Sequence, residues 1–201
     1  MKHKNFPEDF VRFIFRERLV FLRNMLSGGL ARSDVYLGFL RHTPVVASFG
    51  GAGLNVAVKG VGFVPKEEFL EGMLVDVERF MKGNPSKDEV IRFLLEYVYD
   101  ESKIDFGKLS SIELVKGHTY QNLAKNPKAT LMFFVPPSTS FEVRCGVEIH
   151  KSGVYHKYVN SLHDLFHKPE KTRDWSKTPV YIFKIEEIYD NSIGKWGVKI
   201  Y

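Results

Sequence analysis

The sequence of 201 residues contains a single cysteine, Cys145. One thiol excludes an intramolecular disulfide and a cysteine-rich zinc site. Cys145 falls in the alternating pattern Phe141–His150, on the face that carries the apolar residues, so we expect a small buried side chain rather than a nucleophile. Because no disulfide framework is possible, a reducing cytoplasm is the expected location.

Long hydrophobic runs are also lacking. No stretch of about 18 uncharged apolar residues occurs, which excludes a membrane-spanning helix. The segment Met1–Asp9 does not contain the apolar core of a signal peptide. A helix near the N-terminus, rich in Arg and Phe, could lie on a membrane surface, but it has no strongly polar opposite face, and no membrane partner is expected.

The charged residues do not gather into a basic run. The formal net charge is +5 at pH 7, which favours anionic partners such as nucleotides without identifying one. A nucleic-acid module would need aromatic side chains free for stacking. The aromatic residues, 14% of the chain, fall instead on the apolar faces of the predicted elements, so no nucleic-acid partner is expected.

Signatures of several catalytic classes are missing as well. Ser48 stands between Ala47 and Phe49 without the Gly-x-Ser-x-Gly elbow of a serine hydrolase. No His-Glu-x-x-His motif is present. The glycines of Gly50–Gly53 do not form a dinucleotide fingerprint, because strand-forming residues follow them where that motif requires a helix.

The first half of the chain predicts an N-terminal helical segment over residues 1–42, with a helix over Phe10–Met25 and a shorter one over Val35–Arg41. A β-hairpin follows, with strands over Pro44–Phe49 and Leu54–Val64 joined by glycines. Residues 65–105 predict a helical insertion that contains a capping box at Ser86–Glu89.

The second half predicts mostly strands. These cover Ser111–Val115, Ala129–Val135, Phe141–His150, Pro179–Tyr189 and Gly197–Tyr201, with a helix over Val154–Phe166. No strand–helix–strand repeat is present, so the pattern favours a mostly antiparallel sheet with helices outside it. We therefore predict one domain over residues 1–201, of the α+β class, built around a small, partly closed barrel.

The segment Lys116–Pro127 is the candidate binding element. It predicts a short helix between two strands, capped by Thr119 or His118 and ended by Asn126-Pro127. Free N–H groups in the first turn of such a helix, with the helix dipole, attract phosphate. A capped connector helix without a ligand explains the same pattern equally well.

Three motifs occur in a fixed order along the chain. Gly53–Val58 is similar to the Asn-x-Ala-Pro strand of flavin reductase-like proteins. Gly117–Asn122 resembles their Lys-Asp-Thr-x-x-Asn motif, and more closely the Thr-Tyr-x-Asn-Leu of an uncharacterised archaeal group. Asn122–Leu131, followed by Val143–Ile149, resembles the pyridoxamine 5'-phosphate oxidase-like pattern. Together the motifs resemble the split-barrel FMN-binding superfamily over residues 43–190, leaving out the insertion.

The resemblance implies a split β-barrel that binds FMN at the interface of a homodimer and transfers hydride or electrons to a small-molecule substrate. It places Thr119 at the phosphate, Asn122 in support of the turn, and Asn55 with Ala57 near the flavin ring. The full set of implied cofactor-binding residues is Ser48, Asn55, Ala57, Val58, Lys59, Lys116, Gly117, His118, Thr119 and Asn122.

This sequence departs from the reductase pattern at three positions. Val58 replaces the proline of the strand motif, and Gly117 and His118 replace the Lys-Asp pair. Lys116 or Lys59 could supply the missing positive charge. Related split barrels bind a deazaflavin or haem, and others bind no cofactor and act as ligand-binding or structural proteins.

A metal or haem site at histidines is the alternative to a flavin site. His163 and His167 are four residues apart on one predicted helix face, with His156 seven residues earlier. Exposed surface histidines explain the spacing without a ligand. His118 lies in the candidate binding element itself.

Overall fold

The computed structural model describes residues 6–201, which contain eight strands in one antiparallel sheet. The strands are β1 Val45–Gly50, β2 Gly53–Val58, β3 Gly62–Pro65, β4 Ile104–Ile112, β5 Lys128–Val135, β6 Thr139–His150, β7 Val180–Asp190 and β8 Val198–Lys199. Their order across the sheet is β2-β1-β5-β6-β7-β4-β3, and β8 pairs with β7.

The helices lie around this sheet. The first, α1, combines an α-helical turn, a π-helical turn and an α-helix, and the fourth, α4, ends in a π-helical turn. The helices are α1 Glu8–Val11, Arg12–Arg16 and Glu17–Ser27; α2 Arg32–Leu40; α3 Glu67–Lys82; α4 Lys87–Phe93 with Leu94–Val98; α5 His118–Lys125; and α6 Gly153–His167. A 3-10 turn covers Trp175–Lys177.

The sheet curves into a partly closed barrel. Strands β2 and β3 stand at opposite ends of the sheet, although only the link Lys59–Val61 separates them in sequence. This link reaches at most about 14 Å, whereas a flat sheet of this order would hold its ends about 29 Å apart. The expected α+β fold, a mostly antiparallel split β-barrel with peripheral helices and a helical insertion, is confirmed.

The first helix packs on the core of its own chain. The ring centroids of Phe10 and Phe141 lie 5.4 Å apart, and those of Phe15 and Phe63 lie 5.1 Å apart. The π-helical turn changes the residue spacing, so that consecutive side chains from Phe13 to Phe15 are all buried. The wide apolar face predicted for this helix therefore covers the barrel.

Two predicted strands are corrected by the structure. The strand expected at Ser111–Val115 is instead β4, which begins seven residues earlier, at Ile104, and ends at Ile112. Its polar residues are tolerated because β4 pairs with both β3 and β7 inside the sheet. The strand expected over Leu54–Val64 divides into β2 and β3, because the chain crosses the barrel opening between them.

Strand β5 is buried on one face only. Leu131 and Phe133 point inward and are fully buried, but Met132 and Phe134 are exposed. Cys145 on the neighbouring strand β6 is buried, as expected, and burial raises the pKa of its thiol. Among the described residues, no helix combines the length and apolar character that a membrane crossing needs.

Gly50 allows helix α5 to approach β1. A β-carbon at this position would lie 2.8 Å from the Cα and the carbonyl oxygen of Asn122, which are backbone atoms that cannot rotate away. We expect Gly50→Ala to lower the free energy of unfolding by about 1–3 kcal/mol in urea denaturation. Gly72→Ala is the control, because open space surrounds that helical position and the variant should be slightly stabilised. Equal stability of the two variants would contradict the close approach.

Candidate functional site

Asn122 joins helix α5 to the turn of the β1–β2 hairpin. Its amide nitrogen donates to the carbonyl oxygen of Gly53 at 2.7 Å and to that of Ser48 at 3.3 Å. Its amide oxygen accepts from the backbone N–H of Ala52 at 2.8 Å. Asn122 is fully buried, so these bonds supply the partners that a buried amide requires and fix the hairpin against the helix.

A second contact brings β2 to the first turn of α5. The Asn55 amide nitrogen donates to the Thr119 hydroxyl oxygen at 2.9 Å. Thr119 is buried, whereas His118 and Lys116 beside it are exposed. The expected side-chain cap was wrong, because Gly117 is the N-cap and Thr119 lies inside the helix. The N–H groups at this end therefore keep their capacity to bind an acceptor.

Lys59 lies in a buried ion pair. Its ammonium group lies 2.8 Å from a carboxylate oxygen of Glu113, and the Tyr181 hydroxyl donates to the same oxygen at 2.7 Å. The other carboxylate oxygen accepts from the backbone N–H groups of Val115 and Lys116. Burial raises the pKa of the Glu113 carboxyl, but these bonds outweigh it and hold the pKa below its usual range.

The ten residues implied by resemblance separate into three groups. Ser48, Asn55, Thr119 and Asn122 meet where the hairpin contacts α5. Ala57 lies on the same face of β2 as Asn55, and Gly117 and His118 lie at the start of α5. Val58 lies on the opposite, outer face of the hairpin and is exposed. Lys59 is engaged by Glu113, and Lys116 is exposed, with a left-handed backbone at φ 52°.

A cavity of about 480 Å³ lies beside Lys59 and was not predicted from the sequence. Helices α1, α2 and α6, the end of α4, the link Lys59–Val61 and the end of β4 line it. Its walls are mainly apolar, and its polar lining includes Arg18, His42, Thr43, Lys59, Glu113 and His163. One feature of the sequence pointed to this cavity. Phe21 and Leu22 follow Arg18 by three and four residues, so the three side chains share one face of α1.

Of the three histidines considered as metal or haem ligands, one has a structural role and two line the cavity. The Nε2 atom of His156 lies 3.1 Å from the carbonyl oxygens of Trp175 and Thr178, which anchors the loop before β7. The rings of His163 and His167 lie 4.5 Å apart, and both line the cavity, with His163 partly buried. In the described part of the chain, no three or more His, Cys, Asp or Glu side chains could hold a metal ion together.

The chain resembles known proteins in structure rather than in sequence. No family model matches the chain, and no curated protein matches its sequence. Solved structures with a similar fold include HupZ from Group A Streptococcus, with 14% identity, a TM-score of 0.48, and coverage of 86% of this chain and 99% of that chain.

Two flavin-related structures resemble the chain at a similar level. An FMN-binding protein from Syntrophomonas wolfei has 12% identity, a TM-score of 0.44, and coverage of 91% of this chain and 92% of its own. An F420 reductase has 15% identity, a TM-score of 0.43, and coverage of 73% of this chain and 88% of its own. Likeness at this level assigns neither a family nor a ligand, and the split-barrel fold rests on the sheet order itself.

His42 makes the stability of the cavity wall depend on pH. Burial, with the nearby charges of Arg18 and Arg41, lowers the pKa of His42 to about 2. The unfolded chain protonates this residue below about pH 6.5, whereas the folded chain keeps it neutral. Its contribution to stability is therefore present above pH 6.5 and is lost as the pH falls.

We expect the free energy of unfolding to fall as the pH is lowered from 6.5 to 4.5, and His42→Phe to remove about 1.4 kcal/mol per pH unit from that slope. Urea denaturation at a series of pH values measures it. His118→Phe is the control, since His118 is exposed on α5. Parallel pH profiles for the His42 variant and the original protein would show that His42 is protonated in the folded state.

Proposed function

We propose that this chain is an FMN-binding flavoprotein that transfers hydride or electrons through a non-covalently bound flavin. The contact between Asn55 on β2 and Thr119 in the first turn of α5, at 2.9 Å, carries the proposal. It places the open end of a helix, a hydroxyl group and the edge of a strand next to one another. These three elements suit a ligand that carries a phosphate group and a polar ring.

The phosphate would lie at the N-terminus of α5. The Thr119 oxygen accepts from Asn55, so its hydroxyl proton remains free to donate to a phosphate oxygen. The first-turn N–H groups point out of the helix, and Lys116 and His118 add exposed nitrogen donors beside them. Lys59 does not join this group, because Glu113 already pairs with it.

The flavin ring would lie along β2. Within the described residues, β2 pairs with β1 alone, so alternate N–H and C=O groups along its other edge have no strand partner. These groups match the donors and acceptors of the pyrimidine end of the ring, and an N–H there would stabilise negative charge on it. FMN would supply the redox chemistry itself, and no dedicated acid–base side chain is required.

The outer face of the barrel supports a homodimer. Side chains that alternate along β2, β1 and β5 form a continuous apolar face that is exposed in the single chain. We call this set the outer apolar face: Val45, Phe49, Leu54, Val56, Val58, Met132 and Phe134. Monomeric proteins rarely expose such a contiguous face, and a second copy would cover it next to the proposed flavin site.

An absorption spectrum tests the flavin proposal. Protein mixed with excess FMN and freed of unbound ligand should show bands near about 370 and 450 nm. Thr119→Val should weaken FMN affinity by about tenfold or more, because it removes the hydroxyl donor and leaves the Asn55 amide without its acceptor. Thr119→Ser should restore binding.

Thr172→Val, in an exposed loop, is the matched control and should bind FMN normally. Absence of any FMN affinity in the folded protein would refute the proposal. A deazaflavin spectrum or a haem Soret band in its place would assign the site to another cofactor. A colourless, folded protein would leave the chain as a binding protein that uses the cavity beside Lys59.

The dimer proposal is tested at Val56, which is 64% exposed at the centre of the outer apolar face. Val56→Lys should convert a dimer into a monomer in analytical ultracentrifugation, because a lysine would be buried without a partner. Val20→Lys, at a 51% exposed position on α1, should leave the dimer intact. A monomeric native protein at about 50 μM, well above typical dimer dissociation constants, would overturn this assembly.

A further inference from the structure

The cavity beside Lys59 is built to hold a small ligand. Its volume of about 480 Å³ falls within the usual range of small-molecule sites. Aromatic and aliphatic side chains from four separate elements line most of it, among them Phe21, Phe39, Tyr99, Leu162 and Phe166. A ligand that fills this space must therefore have a largely apolar body, and the rings in the wall favour a planar one.

Arg18 supplies a positive charge to this wall. Its guanidinium group lies 5.3 Å from the ring centroids of both Phe63 and Tyr99, and one nitrogen donates to the Val61 carbonyl oxygen at 3.2 Å. Among the residues that the structure describes, no carboxylate pairs with it. The guanidinium group is half-buried and held in place, and several of its N–H groups remain available to bind an anionic acceptor.

His42 adds a nitrogen without a hydrogen-bond partner to the lining of the same cavity. Its Nδ1 atom is buried and has no hydrogen-bond partner in the described structure. The carbonyl oxygen of His42 accepts from the Val61 backbone N–H at 2.8 Å, and the carbonyl of that same Val61 accepts from Arg18. The Arg18 side chain and the His42 backbone therefore both bond Val61 of the link, and both residues line the same cavity. A buried nitrogen without a partner requires one, which a ligand oxygen would provide.

The other charged groups of the wall cancel each other. Lys59 and Glu113 form a closed pair within the cavity lining. The net charge of the wall is therefore the single positive charge of Arg18, which favours a ligand with one anionic group. We propose that the cavity binds a small aromatic carboxylic acid, with the carboxylate between Arg18 and His42 and the ring among the aromatic side chains. The proposal does not depend on the binding of FMN.

Calorimetric titration with 2-naphthoate tests the proposal. The native protein should bind it at one site, and at least tenfold more tightly than 2-naphthamide, which has the same ring and no charge. Arg18→Gln should weaken naphthoate binding about tenfold or more and remove the preference for the acid. Arg18→Lys, which keeps the charge, should retain part of the preference for the acid. His42→Phe should weaken naphthoate binding about threefold.

Arg23→Gln is the matched control, since it removes an equal charge from an exposed position on the same helix and should leave binding unchanged. Leu162→Trp should abolish binding by filling the cavity, and thermal unfolding verifies that each variant is folded. The proposal is overturned if native protein binds no naphthoate at millimolar concentration, or if folded Arg18→Gln binds it as tightly as native protein does. Thr119→Val should keep naphthoate affinity, which separates this outcome from that of the flavin experiment.

Discussion

Closure of the barrel depends on the buried carboxylate of Glu113. It follows β4, which lies next to the end strand β3, and it bonds Lys59 of the link from β2, the strand at the other end, together with Tyr181 of β7. Three elements that are distant in sequence therefore meet at one side chain. Removal of one partner from such a buried pair costs far more than an exposed pair contributes, because the remaining charge keeps its desolvation penalty.

This closure determines where ligands can bind. The short link Lys59–Val61 draws the two ends of the sheet together, and helices α1, α2 and α6 cover the gap that remains. A mainly apolar cavity results on one side of Lys59. On the other side, the bonds from Glu113 to the backbone N–H groups of Val115 and Lys116 direct the chain into α5. The two proposed sites are thus consequences of one constraint, although they use different residues.

Local patterns in the sequence predicted the elements that depend on local physics. The alternation from Phe141 to Ile149 gave β6, and the capping box at Ser86–Glu89 forms as expected. Strand β4 was misplaced because its polar residues are stabilised by neighbours on both sides, which no local pattern records. The cavity was missed for the same reason, since Arg18, His42 and His163 come from separate parts of the chain and line one cavity only in the folded protein.

The β1–β2 hairpin departs from the usual polarity of a barrel strand. Ser48 and Asn55 face inward and are hydrogen-bonded to α5, whereas Phe49 and Val56 face outward and are exposed. A shift of one residue would bury the apolar set, yet the bonds of Asn122 to both strands of the hairpin hold the register against it. A register that keeps polar groups inside and leaves apolar groups exposed is costly in a single chain. It becomes favourable if a second copy covers the outer face, and the polar inner edge is then free to serve a ligand.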